Sequence, residues 1–110
     1  MKIILCCAGG FSTTMLMENM KSTVKMSEKL DEADFSFKAI PVDQLSQEID
    51  NFDAVVVGPQ IAHKVEYIES LTEPRNMPYT VIDKDTYGKM DGATALKQIL
   101  IAKRKKDLNL

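Results

Sequence analysis

The sequence lacks the features that mark three broad classes of protein. It has no apolar run close to the ~18 residues that a membrane-spanning helix needs. It has no basic excess, since fourteen Lys and Arg stand against sixteen Asp and Glu, and nucleic-acid-binding domains usually carry one. Its two cysteines are adjacent and cannot form a secreted disulfide framework, and the stretch from Met1 to Cys7 is too short for a signal peptide. These features predict a cytoplasmic protein that binds no nucleic acid.

Apolar patterning predicts a single α/β domain over residues 1–110. Apolar runs bounded by turn residues predict strands, and apolar residues at helical spacing predict helices between them. Strands are expected at residues 2–7, 35–40, 54–57 and 79–82, and helices from Ser12 to about Glu28, at 44–50, at 61–71 and at 93–106, with a loop over 88–92. About four strands that alternate with about five helices indicate a doubly wound parallel sheet with helices on both faces.

The first and last helices are each expected to bury one apolar face. The inner residues predicted from helical spacing are Met15, Leu16, Met20 and Val24 in the first helix, and Ala95, Leu96, Ile99, Leu100 and Ala102 in the last. In doubly wound folds, ligands bind at the carboxyl ends of the strands, where the winding direction switches. We therefore expect the functional residues in the loops 7–14, 58–61 and 83–92.

The loop after the first strand has the composition of an anion-binding site. Cys7 ends the strand, Gly9 and Gly10 allow successive backbone N–H groups to turn inward, and hydroxyl residues open a helix whose N-terminus attracts negative charge. The first acidic residue of that helix is Glu18, so its first turn is open to an external anion. The residues predicted to hold a phosphate are Ala8, Gly9, Gly10, Phe11, Ser12, Thr13 and Thr14.

A cysteine next to a phosphate-binding loop predicts a nucleophile that attacks phosphorus. Cysteine-based phosphatases place an arginine six positions after the cysteine, and Thr13 stands there instead. No acidic residue occurs between Cys7 and Met17 to protonate a leaving group. The loop thus favours a phosphoryl carrier. Two alternatives remain: a small phosphatase or arsenate-reductase-like enzyme, and a non-catalytic regulatory domain that would tolerate loss of Cys7.

Three motifs occur in order along the chain. They are the Cys-x-x-Gly-x-Ser-Thr pattern at 7–13, Gly-Pro-Gln-Ile at 58–61 and Tyr-Gly-Lys-x-Asp-Gly at 87–92. In these motifs, and over its whole length, the sequence resembles the IIB component of the bacterial sugar phosphotransferase system, in its lactose/cellobiose/diacetylchitobiose branch.

The resemblance implies a role as well as a fold. Cys7 would become a phosphocysteine, taking the phosphoryl group from a histidine of a IIA partner and passing it to a sugar bound by the membrane-embedded IIC partner. The sugar implied is a β-disaccharide such as cellobiose, chitobiose or lactose. The protein would meet the inner face of the membrane through IIC, and the sheet would be flavodoxin-like, as in small tyrosine phosphatases. No cofactor or metal is expected, because backbone dipoles offset the phosphoryl charge.

The other two motifs predict a second wall of the site. Gly58 and Pro59 could only terminate a strand, or could join Gln60 and Tyr87 beside Cys7. Tyr87 could equally be a core residue with its hydroxyl at the rim.

Several further residues allow two interpretations. Strand alternation points Cys6 away from Cys7, which favours a core residue over a metal or disulfide pair. His63, the only histidine, suits an exposed helix position better than a base or phosphate carrier. Met15, Met17 and Met20 suit the core, or in part a docking surface. The run 103–106 is a solvated helix end, or is drawn to a membrane surface.

Overall fold

A parallel sheet forms the centre of the molecule. The computed structural model describes residues 1–8 and 12–108, with the backbone alone for Ser12. Within that part of the chain the strands are β1 (Lys2–Cys7), β2 (Ser36–Pro41), β3 (Ala54–Val57) and β4 (Tyr79–Val81), and they lie in the order β2-β1-β3-β4. All neighbours run parallel, with Cys6 opposite Ile40 on one side and Val57 on the other. Strand β1 is therefore central, and the chain switches direction between β1 and β3.

Helices cover both faces of this sheet. They are α1 (Ser12–Met26), α2 (Leu45–Glu48), α3 (Val65–Thr72), α4 (Lys84–Gly88) and α5 (Gly92–Asp107), and short 3₁₀ segments occupy Glu32–Asp34, Val42–Gln44, Ile49–Asn51, Pro59–Lys64 and Glu73–Arg75. One core packs β1 and β3 against α1 and α5, and the other packs the reverse side of the sheet against α2 and α3. The doubly wound, three-layer α/β fold predicted from the alternating pattern is confirmed.

The boundaries of several elements differ from the sequence prediction by a few residues. Strand β2 begins one residue later and includes Pro41, which is tolerated because β2 lies at the edge of the sheet. Helix α1 ends at Met26 rather than Glu28. The single helix expected over 61–71 is a 3₁₀ turn followed by α3, because Ile61 has non-helical dihedral angles (φ −118°, ψ 24°).

Two predictions were wrong in substance. Met15 is 56% exposed and does not belong to the inner face of α1, whereas Met17 is buried there. The loop predicted over 83–92 contains a short helix, α4. Asp83 caps this short helix by accepting hydrogen bonds from the backbone nitrogen (3.1 Å) and hydroxyl (2.7 Å) of Thr86. The inward positions predicted for α5 are confirmed: Ala95, Leu96 and Ile99 are buried, and Leu100 and Ala102 are partly buried.

Candidate functional site

The two cysteines at the end of β1 have different surroundings. Cys6 is fully buried in the core beneath α2 and α3, and burial, together with the nearby Cys7, raises its pKa to about 12. Cys7 points the other way, is 6% exposed, and has its Sγ 3.9 Å from the carbonyl oxygen of Ile40. Both thiols are free. The prediction that Cys6 is a core residue is confirmed, and its raised pKa keeps it protonated and unreactive near neutral pH.

The chain passes from Cys7 to α1 through the predicted phosphate loop. Ala8 is exposed at the start of that loop, while Gly9, Gly10, Phe11 and the Ser12 side chain lie outside the described residues. Ser12 is the first residue of α1, and the first turn of this helix contains no acidic residue. The unpaired N–H groups and positive dipole end of α1 therefore follow Cys7 by five positions in the sequence, as the anion-binding interpretation requires.

The two threonines of the loop have different environments. Thr14 is exposed, whereas Thr13 is 2% exposed and its Oγ1 lies 3.1 Å from the hydroxyl oxygen of Tyr87. Tyr87 belongs to α4 and is itself buried, at 6% exposed. This contact ties the N-terminal turn of α1 to α4. The Asp83 cap fixes α4 in turn, and its hydrogen bonds with Thr86 lower the pKa of the Asp83 carboxyl below the usual 3.8.

Gly58 lies against the end of β1. Its backbone N–H donates to the carbonyl oxygen of Cys6 at 2.9 Å. A β-carbon at Gly58 would stand 2.9 Å from Gln60 Oε1, 3.4 Å from that carbonyl and 3.8 Å from Tyr87 Cε1. The absence of a side chain thus lets two loops meet beside the cysteine pair. The structure brings together three residues of the predicted second wall, Gly58, Gln60 and Tyr87.

Two depressions flank this end of β1. One, of about 280 Å³, is lined by Pro59, Gln60, Lys84, Tyr87 and Gly88. The other, of about 500 Å³, is lined by Ala8, Pro41, Val42, Asp43, Gln44, Ile61, His63 and Lys64. Pro59 thus lies with Gln60 and Tyr87 in the smaller depression. The sequence analysis overlooked the segment 41–44 at the end of β2. Strand β2 runs parallel beside β1, so the carboxyl ends of the two strands lie next to each other.

The exposed His63 lies near the loop, in the larger depression with Ala8, but no hydrogen bond or ion pair joins it to another described residue. Over residues 1–8 and 12–108, no three His, Cys, Asp or Glu side chains come together in a group that could hold a metal ion. Among the described residues, the Cys7 thiol at the end of β1 precedes a helix whose first turn contains hydroxyl residues and no acidic residue.

The two arginines of the chain lie away from Cys7. Arg75 donates to Asp50 Oδ1 at 2.7 Å and to the carbonyl oxygen of Leu71 at 2.6 Å. Arg104 belongs to α5 and lines a surface that also includes Leu30, beyond the end of α1. Neither side chain lines the two depressions beside Cys7. None of the helices that the structure describes is long and apolar enough to cross a membrane.

Comparisons with known proteins agree with this fold and motif pattern. The family model described as PTS system, lactose/cellobiose-specific IIB subunit, matches residues 2–98. The oligo-β-mannoside-specific EIIB component of Bacillus subtilis (strain 168) is 30% identical over 99 residues, which cover 90% of this chain and 92% of the relative.

Two solved structures have the same fold. The cellobiose-specific phosphotransferase IIB component of Borrelia burgdorferi is 31% identical with a TM-score of 0.76, and the match covers 96% of this chain and 94% of that one. The lactose-specific IIB component domain of Streptococcus pneumoniae has a TM-score of 0.80 over 93% of this chain and 96% of its own, at 13% identity, so it speaks for the fold alone. The chain belongs to the lactose/cellobiose-specific IIB family of the sugar phosphotransferase system, a family of phosphotransferases.

Proposed function

We propose that Cys7 carries a phosphoryl group from a phosphohistidine of a IIA partner to a sugar held by a membrane-embedded IIC partner. The observation that carries this proposal is the position of Cys7, which ends the central strand and precedes the acid-free first turn of α1. Backbone N–H groups from Ala8 to Thr14, with the hydroxyls of Ser12, Thr13 and Thr14, would hold the phosphoryl oxygens. Gly58, Pro59, Gln60 and Tyr87 would form the opposite wall.

The proposed transfer has two steps. The Cys7 thiolate attacks phosphorus, so that an S–P bond forms while the N–P bond of the donor breaks, and the imidazole, protonated at its other nitrogen, leaves as a neutral ring. A sugar hydroxyl oxygen then attacks phosphorus, the S–P bond breaks, and Cys7 leaves as thiolate while the hydroxyl proton passes to solvent or to IIC. Helix and backbone dipoles stabilise the charge on the phosphoryl oxygens in both steps.

A carrier must not lose its phosphoryl group to water. Hydrolysis by a related cysteine phosphatase depends on an arginine that clamps the phosphoryl oxygens. Arg75 is paired with Asp50, Arg104 lies on α5 away from Cys7, and Thr13 fills the arginine position with a buried hydroxyl bonded to Tyr87. This difference supports the carrier over the phosphatase-like or arsenate-reductase-like alternative.

The acceptor is proposed to be a β-linked disaccharide such as cellobiose, chitobiose or lactose. This proposal is supported by the names of the matching family model and relatives, which refer to lactose, cellobiose and oligo-β-mannoside. The chain would act as one IIB domain over residues 1–110, in the cytoplasm, and would reach the inner face of the membrane through IIC.

The test is intact mass after incubation with phosphoenolpyruvate, the general phosphotransferase proteins and a matching IIA. Wild type should gain one phosphoryl group that persists when the donor is removed. Cys7→Ser should gain none, whereas Cys6→Ser is the matched control and should still be loaded, because Cys6 is fully buried on the other side of β1.

The same experiment separates the alternatives. No adduct on wild type, with a IIA shown to be active on another acceptor, would contradict the carrier and favour the regulatory domain. Release of inorganic phosphate from loaded protein, without any acceptor and at enzymatic rates, would favour the hydrolase. Loading that survives Cys7→Ser and is lost in Cys6→Ser would show that Cys6, and not Cys7, accepts the phosphoryl group.

A further inference from the structure

Charge is distributed very unevenly between α5 and the rest of the chain. Helix α5 contains five of the fourteen basic residues and only one of the sixteen acidic ones, whereas the whole chain has a formal charge of −2. The basic residues are Lys97, Lys103, Arg104, Lys105 and Lys106. One end of an otherwise acidic molecule is therefore strongly cationic.

Part of this charge is already neutralised within the protein. Lys103 pairs with Asp107 at 2.8 Å, and Lys106 pairs with Glu73 at 3.1 Å. Lys97, Arg104 and Lys105 are exposed and form no ion pair with any residue in the described part of the chain. These three cations are available to an external anion.

The three available cations share a face of α5 with exposed apolar side chains. Lys97, Ile101, Arg104 and Lys105 follow one another at spacings of four, three and one, which places them on one side of α5, and Leu108 comes directly after α5 ends, four residues beyond Arg104. Ile101 is 44% exposed and Leu108 is 56% exposed, although both are large and apolar. We call Lys97, Ile101, Arg104, Lys105 and Leu108 the α5 stripe.

The surface beside the stripe is broad and shallow. A depression of about 630 Å³ lies along it, and its lining combines apolar residues with three cations and the carboxylate that pairs with Lys103: Leu30, Ala93, Leu96, Leu100, Ile101, Lys97, Lys103, Arg104 and Asp107. Cations around an apolar strip on a helix are the composition of segments that lie in the headgroup region of anionic bilayers. A shallow, open face suits a planar surface better than it suits an inserted helix of another protein.

We propose that the α5 stripe is a contact site for an anionic phospholipid surface. The cations bind lipid phosphates, and Ile101 and Leu108 enter the headgroup boundary. The contact is weak and reversible, because two apolar side chains and three cations give only marginal membrane affinity. The site belongs to this chain alone and does not depend on IIC or on the state of Cys7.

The stripe leaves the cysteine end of the molecule uncovered. Helix α1 begins five residues after Cys7, and Leu30, which follows the far end of α1, lines the depression together with residues from the C-terminal half of α5. Lipid contact along the outer side of α5 therefore does not cover Ala8 or the first turn of α1. A protein held in this way stays close to a membrane-embedded acceptor, with the cysteine end of the molecule free of lipid.

The experiment is sedimentation of the purified full chain with vesicles, without sugar or partner proteins. At low ionic strength, wild type should bind vesicles that contain phosphatidylglycerol and not vesicles of phosphatidylcholine alone, and salt should reverse the binding. Arg104→Glu combined with Lys105→Glu should weaken partitioning at least about twenty-five-fold, because each cation removed costs about fivefold and the two new carboxylates are repelled by the lipid phosphates. The matched control, Lys64→Glu with Lys84→Glu, makes the same change in net charge at the cysteine end and should bind nearly as wild type.

Three results would overturn the proposal. Equal binding to both vesicle types would show that anionic lipid is not recognised, and an equal loss in the control variant would show that only net charge matters. No sedimentation with anionic vesicles, combined with retention on polyglutamate beads that the stripe variant loses, would assign the stripe to an acidic protein instead. Circular dichroism verifies folding of each variant. Phosphoryl loading of the stripe variant, measured in parallel by mass, keeps this outcome separate from that of the carrier function.

Discussion

At the scale of single residues, the contact between Thr13 and Tyr87 links the proposed phosphate loop to the rest of the fold. Both side chains are buried, and their oxygens are 3.1 Å apart. A hydroxyl that loses its partner in such a place is costly, because water cannot replace the lost hydrogen bond. The pair therefore holds the first turn of α1 against α4 in one arrangement.

We predict that Tyr87→Phe lowers the free energy of unfolding by about 1–3 kcal/mol, because the Thr13 hydroxyl loses its buried partner. In a double-mutant cycle with Thr13→Val, the coupling energy should be about 1 kcal/mol. Urea unfolding measures both quantities. Tyr67→Phe is the matched control, and should change stability by less than about 0.5 kcal/mol because Tyr67 is 43% exposed on α3. Additive effects of the Thr13 and Tyr87 substitutions would mean that the hydrogen bond contributes nothing.

Two aspartates show how single side chains start helices next to the site. Asp83 caps α4 through Thr86, and Asp91 caps α5 by accepting from the backbone nitrogen (3.0 Å) and hydroxyl (2.7 Å) of Thr94. These hydrogen bonds, first those from the threonine side chains, lower the pKa of both carboxyls below 3.8. A carboxyl whose pKa is lower in the folded protein stabilises it above the unfolded pKa, and that contribution is lost as pH falls through the folded pKa.

We therefore predict that unfolding free energy decreases as pH falls below the ordinary carboxyl value of 3.8. Replacing both caps, as Asp83→Asn with Asp91→Asn, should make this decrease smaller, since asparagine still caps but does not titrate. Urea unfolding across a pH series measures the effect. Asp43→Asn is a suitable control, because Asp43 is exposed and accepts no hydrogen bond from a described residue. An identical pH profile for wild type and the double variant would contradict the role assigned to the caps.

At the scale of elements, the packing of α5 on α1 depends on a close approach at Gly92. A β-carbon there would stand 2.4 Å from the carbonyl carbon of Asn19 and 2.5 Å from the nitrogen of Met20. Both atoms are backbone and cannot move aside as a flexible side chain could. The Asn19 side chain also donates to the carbonyl oxygen of Met90 at 2.8 Å, just before α5 begins.

We predict that Gly92→Ala destabilises the protein by about 3 kcal/mol or more, because the two helices must separate. Gly88→Ala is the matched control, since a β-carbon there meets nothing within 4 Å, and it should be neutral or stabilising by up to about 1 kcal/mol. Thermal unfolding of both variants tests the comparison. Equal melting temperatures for them would show that the α1–α5 contact adapts.

Elements with a long apolar period could be predicted from the sequence, and elements defined by local capping could not. Helix α4 is five residues long and is held by the Asp83 cap, so it has too few turns to show a period. The wrong prediction that Met15, and not Met17, is buried has a similar origin, because either residue extends the apolar face that contains Leu16 and Met20. The tertiary packing of α1 decides which methionine is buried, and the local pattern does not encode that packing.

At the scale of the whole molecule, the alternation of strands and helices was enough to predict a doubly wound sheet. It also predicted that the site lies at the carboxyl ends of the strands, where Cys7 is found. The site was less predictable, because it is assembled from loops that are far apart in sequence. The loop motif pointed to Cys7 and its neighbours, and the second-wall residues came from the two other motifs. The segment 41–44 was overlooked, because its place at this edge follows only from the pairing of β2 with β1.

The structure also separates the proposed phosphoryl site from the α5 stripe. The phosphoryl site lies at the carboxyl ends of the strands, and the α5 stripe extends toward their amino ends. We predict that phosphorylation of Cys7 changes the amide chemical shifts of Ala8, Thr13, Gln60 and Tyr87, because a doubly charged group there polarises and orders the surrounding N–H groups. The amides of Ile101 and Arg104 should not move. Two-dimensional NMR of loaded and unloaded protein makes the comparison, with Cys7→Ser under the same conditions as control. Unchanged shifts at Ala8 and Thr13 would contradict a charge-sensing loop. Shift changes that reached α5 would mean that lipid contact and phosphoryl loading are coupled. If the changes are confined to the residues around Cys7, IIA and IIC must distinguish loaded from unloaded protein at the cysteine end.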